Sequence, residues 1–171
     1  FLSTPETYFI DNNHGLNPKE QLPNFVKWLV QAEIIDNSKD KQTTELGKLL
    51  ASIYIDRPEL VWEIIWINLS YNAPIAKWYK ENIDWESTFT DADLREMISG
   101  DYPTTSQTTI KNIVYALLRT FKESPIGRMG QLEEIDKQHY KKTPFSEISR
   151  ETLAYSLYKY ASFRKIYSLR V

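Results

Sequence analysis

Cysteine is absent from the 171 residues, glycine occurs only five times and histidine only twice. The first absence excludes disulfides, thiolate metal sites and thiol nucleophiles within the chain. The glycine pair Gly127 and Gly130 does not make a phosphate loop, because the run GRMGQLEE lacks the Lys-Ser/Thr ending and follows no clear strand. His14 and His139 lie far apart without helical ligand spacing. Even with a carboxylate such as Asp11 they make a poor metal set, and hydrogen-bonded surface histidines are the expected reading. No nucleophile elbow and no Ser-His-Asp order can be argued from spacing. No catalytic residue is therefore assigned, and no cofactor is expected in this chain. No apolar run reaches the roughly 18–20 residues that a membrane span needs, and no signal-peptide pattern opens the chain, so a cytoplasmic protein without membrane contact is expected. The first residue is Phe1 rather than methionine, which suggests a fragment of a longer polypeptide.

Hydrophobic residues make up 42% and aromatics 13%, enough to favour a packed globule over disorder. The net charge of −2 hides an asymmetry: residues 1–55 carry 5 basic and 7 acidic side chains, 56–101 carry 4 and 10, and 102–171 carry 12 and 6. A polyanion would prefer the last third.

The spacing of apolar residues predicts helices almost throughout. Asn17-Pro18-Lys19-Glu20 is a helix start leading into Phe25, Val26, Leu29 and Val30. Ile34-Ile35 and the residues near Thr43 read as two short extended segments before a helix through Leu46, Leu49, Leu50 and Ile53. Asp56-Arg57-Pro58-Glu59 starts a helix whose ELVWEIIWINL is apolar on nearly every face, the mark of a buried central rod. Pro74 opens a helix striped by Ile75, Trp78 and Tyr79. Four of the five tryptophans lie in helices beside Leu and Ile, which favours core packing over a ligand site. Thr90 caps a helix through Leu94, Met97 and Ile98, and Thr104 with Gln107 has capping-box spacing for the next. That helix, with Ile110, Ile113, Val114, Leu117, Leu118 and Phe121 on one face, stops at Ser124-Pro125. Leu132–Asp136 and His139–Lys142 then fit a hairpin, and Ser149 begins a tyrosine-rich helix with a basic tail. The expected fold is mainly α, with winged-helix-like helical units and short β-hairpins. Its divisions are 1–55, a helix-hairpin-helix unit; 56–145, the buried rod plus a second winged-helix-like unit; and 146–171, a basic C-terminal helix.

Helix, turn, helix and hairpin over Phe89–Lys142 is the plan in which a second helix offers polar residues to a DNA groove and a hairpin places basic residues beside the backbone. Ser106, Gln107, Thr108 and Asn112 can pair with bases or phosphates, and Lys111, Arg119, Lys137, Lys141 and Lys142 can neutralise phosphates. Capping and solvation compete with this reading for the same residues. Asp84, Glu86, Asp91, Asp93 and Glu96 are dense but lack the glycine and terminal glutamate of a calcium loop, so a solvated face is expected.

The series WLVQAEIID, TTELGKLLA, DRPELVWEIIWINLS, FTDADLREMI and SQTTIKNIVYALLRTF resembles a domain-of-unknown-function family of prokaryotic defence islands, over roughly Asn17–Phe121. Its members stand alone or are joined to phosphoadenosine phosphosulfate (PAPS) reductase-like proteins, including relatives linked to DNA sulfur modification and phage defence. Glu45 stands where the family favours proline, and Lys111-Asn112 where it favours a basic-acidic pair. The resemblance implies a catalytic PAPS reductase-like domain in cis or trans, which supplies a phosphate loop and cysteine chemistry that this chain lacks. The expected role is that of a non-catalytic accessory domain docking DNA, with a protein-interaction module as the alternative.

Overall fold

A computed structural model describes residues 17, 19, 21–144 and 147–165; Pro18, Glu20, His14, Asp11 and the last six residues of the basic tail lie outside them. Among the described residues the chain is mainly helical with one small antiparallel sheet, and no helix is long and apolar enough to cross a membrane. It divides into two compact units, one formed by residues 1–73 and 149–171, the other by residues 74–148.

The first unit contains α1 (Gln21–Gln31), α2 (Glu45–Ile53), α3 (Pro58–Asn72) and α7 (Arg150–Arg164). Burial of Leu60, Val61, Ile64, Ile65, Trp66 and Leu69 bears out the expected rod, and Trp28 meets Trp62 with ring centroids 6.2 Å apart. Arg57 rather than Asp56 occupies the α3 N-cap, and it makes no side-chain cap. Between α1 and α2 the expected pair of strands shrinks to a single bridge, Ile35 with Thr43. Two side chains leave no room for more. The Asp36 carboxylate accepts from the Ser38 and Gln42 amides, both at 3.1 Å, closing the loop. Thr44, whose amide still donates to the Ile34 carbonyl at 3.0 Å, turns its hydroxyl to cap α2, accepting from the Gly47 amide at 2.9 Å.

The rod belongs to this unit, and α7 joins it rather than standing apart as 146–171. Buried Glu63 of α3 accepts from Ser149 Oγ at 2.8 Å and from Thr152 Oγ1. Asn68 donates to the Ala32 carbonyl at 2.9 Å and accepts from Tyr155 at 2.8 Å. These polar groups leave α3 buried without orphaned side chains, and the Lys159–Glu33 ion pair at 2.5 Å adds a third tie to α7. The opposite side of α7 leaves Leu153, Leu157 and Tyr158 exposed, while Phe163 sits against Tyr71 of α3 with ring centroids 5.4 Å apart.

The second unit runs α4 (Pro74–Asn82), β1 (Thr88–Thr90), α5 (Asp91–Asp101), α6 (Gln107–Glu123), a π-helical turn (Gly127–Gln131), β2 (Glu133–Glu134) and β3 (His139–Lys141). The sheet order is β1-β3-β2, with Phe89 opposite Tyr140 and Glu134 opposite Tyr140. Period-2 alternation turns Phe89 and Tyr140 inward. They meet Tyr79 and Phe121 in one aromatic core, with Tyr79 and Phe121 centroids 4.9 Å apart and Phe89 and Tyr140 centroids 6.1 Å apart. Buried Tyr79 directs its hydroxyl to the Gln131 carbonyl at 2.5 Å. Thr90 and Asp93 form the capping box that starts α5. The predicted apolar face of α6 is inside, with Ile110, Val114, Leu117, Leu118 and Phe121 buried.

Candidate nucleic-acid interface

The start of α6 differs from expectation. Thr104 lies in a turn closed by the Thr105 amide donating to the Tyr102 carbonyl at 3.0 Å. Ser106 is the N-cap and accepts from the Thr109 amide at 3.2 Å. Gln107 donates to Ser99 of α5 at 3.3 Å. Ser106 and Gln107 are thus occupied in starting and bracing the helix.

Beyond that first turn, Thr108 and Asn112 stand four residues apart on the exposed side, and Lys111, Tyr115 and Arg119 form a second row at the same spacing. The second row faces a groove of about 530 Å³ whose far wall is the hairpin turn at Lys137 and Gln138. Val114, Leu118 and Tyr140 line its depth, while Asp91 and Arg95 of α5 and Lys122 and Glu123 of α6 complete the rim. Five basic side chains therefore meet two acidic ones in a chain that is negative as a whole.

Partnering separates these cations. Lys111 and Lys137 make no ion pair among the described residues, and both are exposed. Arg119 meets Glu123 at 2.7 Å, which raises its pKa through a hydrogen bond, and Arg95 meets Asp91 at 2.9 Å. Exposed helical pairs of this kind are worth only about 0.3–0.5 kcal/mol, so a phosphate can displace either carboxylate cheaply. Lys122 is held more firmly, by Glu134 at 2.6 Å and the Tyr140 hydroxyl at 3.0 Å. Burial pulls its pKa down, but these two partners outweigh burial and leave it raised.

Three predicted residues, Lys111, Arg119 and Lys137, are brought together. Lys141 is outside the groove, paired with Glu86. Lys142 must be withdrawn from the set, because its side chain is buried with 1% exposure. Its ammonium donates to the Ile83 carbonyl at 2.5 Å and to the Tyr79 and Lys80 carbonyls at 3.3 Å each, closing the end of α4. The rings of Trp85 and Tyr79 lie 4.4 and 5.0 Å from it. Burial lowers its pKa to about 8. Alternation along β3 accounts for its neighbours: His139 and Lys141 point away from buried Tyr140.

Tyr115, Arg95, Lys122 and Gln138 complete a site that the candidate set omitted. Tyr115 could have been found, since it lies one helical turn from both Lys111 and Arg119. The part played by Arg95 depends on how α5 packs beside α6, which no local spacing reveals.

Two further acidic residues, Asp93 and Asp136, are used within the fold. Asp93 caps α5, and hydrogen bonds from the Thr90 amide and hydroxyl lower its pKa. Asp136 accepts from the Gln138 amide and from His139, which holds its pKa near 2. Among the described residues, no group of three or more His, Asp or Glu is placed to hold a metal ion. Compared with known proteins, the chain matches no family model, no curated protein and no solved structure.

Proposed function

We propose that the second unit is a non-catalytic DNA-docking module of winged-helix type, serving as an accessory domain to a PAPS reductase-like enzyme of DNA modification or phage defence. The observation that carries the docking reading is the groove, which gathers Lys111 and Arg119 of α6 and Lys137 of the hairpin turn around one concavity. The order α5, turn, α6, hairpin with strands β1-β3-β2 supports the winged-helix assignment. The enzymatic partner rests on the sequence resemblance alone. In this role the chain performs no bond chemistry: phosphate contacts position DNA while a catalytic domain in cis or trans acts on it.

Fluorescence anisotropy with labelled DNA at low salt tests the reading. Lys111→Glu combined with Lys137→Glu abolishes most binding, whereas Lys141→Glu, outside the groove, has a much smaller effect. Absence of binding by the unmodified protein to both single-stranded and duplex DNA removes the proposal. A protein-docking role is the second reading, favoured by the exposed Leu153, Leu157 and Tyr158 of α7.

A further inference from the structure

We infer that the groove between α6 and the hairpin takes a single strand of nucleic acid, with an unpaired base stacked on Tyr115, in preference to a duplex. This inference rests on the nucleic-acid reading above and specifies its ligand.

Shape is the first reason. A helix that reads the duplex major groove must project into it, whereas the Lys111–Tyr115–Arg119 row of α6 borders a concavity of about 530 Å³ walled by Lys137 and Gln138. A flexible strand can enter such a hollow; a duplex can contact only its rim.

The second reason is the chemistry of the walls. Single-strand sites combine cations that follow the backbone with an aromatic face for the bases. The Tyr115 ring is 64% exposed, with no aromatic partner among the described residues, midway between Lys111 and Arg119. Val114 and Leu118 give the groove an apolar depth, where the flat face of a base loses less than a phosphate would. Paired bases already stack on their neighbours and would have to be unstacked to use Tyr115, so the aromatic contact favours strands that are already open. Lys111 and Lys137, on opposite sides of the groove and without ion pairs among the described residues, supply charge complementarity to phosphates flanking a stacked base.

The full chain is titrated against a labelled, mixed-sequence oligonucleotide of roughly 12 nucleotides, a length within known single-strand site sizes, and against the same sequence annealed to its complement. Tighter binding of the single strand is expected, with Tyr115→Ala weakening it about tenfold and Tyr115→Phe retaining it. Thermal unfolding should be unchanged in both variants, because the ring is exposed. Tighter binding of the duplex, or single-strand affinity unchanged by Tyr115→Ala, overturns this inference and leaves the DNA-docking reading standing. Failure of both nucleic acids to bind removes both.

Discussion

Lys142 shows how little a residue's type says about its use. In sequence it extends the basic hairpin, yet its ammonium serves three carbonyls at the end of α4, with Trp85 and Tyr79 rings beside it. Replacing it by methionine leaves those carbonyls without their donor and should cost about 1–3 kcal/mol at neutral pH. The pH dependence has a definite sign. Burial, reinforced by Lys80 and only partly offset by Asp84, brings its pKa from 10.5 down to about 8. Between those values the unfolded chain binds the extra proton, so stability rises with pH across this window. Denaturant unfolding at intervals from pH 7.5 to 10 should show the unmodified protein gaining stability relative to Lys142→Met. A constant difference would mean that Lys142 stays fully charged in the folded state.

At the scale of elements, much of the molecule was readable because local rules agree with packing. The Thr90 cap, the apolar face of α6 and the hairpin around Lys137-Gln138 follow from capping chemistry and periodicity, and the structure contains all three. The Thr104 cap failed because Ser106 offers the same chemistry two residues later, after a turn that periodicity does not register. In the first unit the TTELG segment has a packing explanation. Thr44 caps α2, and Gly47 lies so close to the Ile34 carbonyl that a methyl group would overlap it. Gly47→Ala should therefore destabilise the protein by more than about 1 kcal/mol despite alanine's better helix propensity. Thermal unfolding of that variant checks this, and an unchanged or raised midpoint would show that the α1–α2 loop yields easily. The groove was half legible: one row of α6 could be read from its spacing, but its depth depends on the approach of the hairpin and α5, which is tertiary.

For the whole molecule, the net charge of −2 argues against polyanion binding, while the local excess of cations on the second unit argues for it. Local charge should win at short range, because charges more than about 10 Å away are screened at 0.1 M salt. The distinction has a measurable form, since each neutralised phosphate contributes about −0.7 to the slope of log affinity against log salt for a single strand. With Lys111, Arg119 and Lys137 each on a phosphate, the expected slope is about −2. The most direct measurement is this slope for the unmodified protein and for Lys111→Glu with Lys137→Glu, using the single-stranded oligonucleotide. The account predicts a slope near −2 that falls to a residual near −0.7 in the double variant. A flat slope, or one that the double variant leaves unchanged, would contradict it.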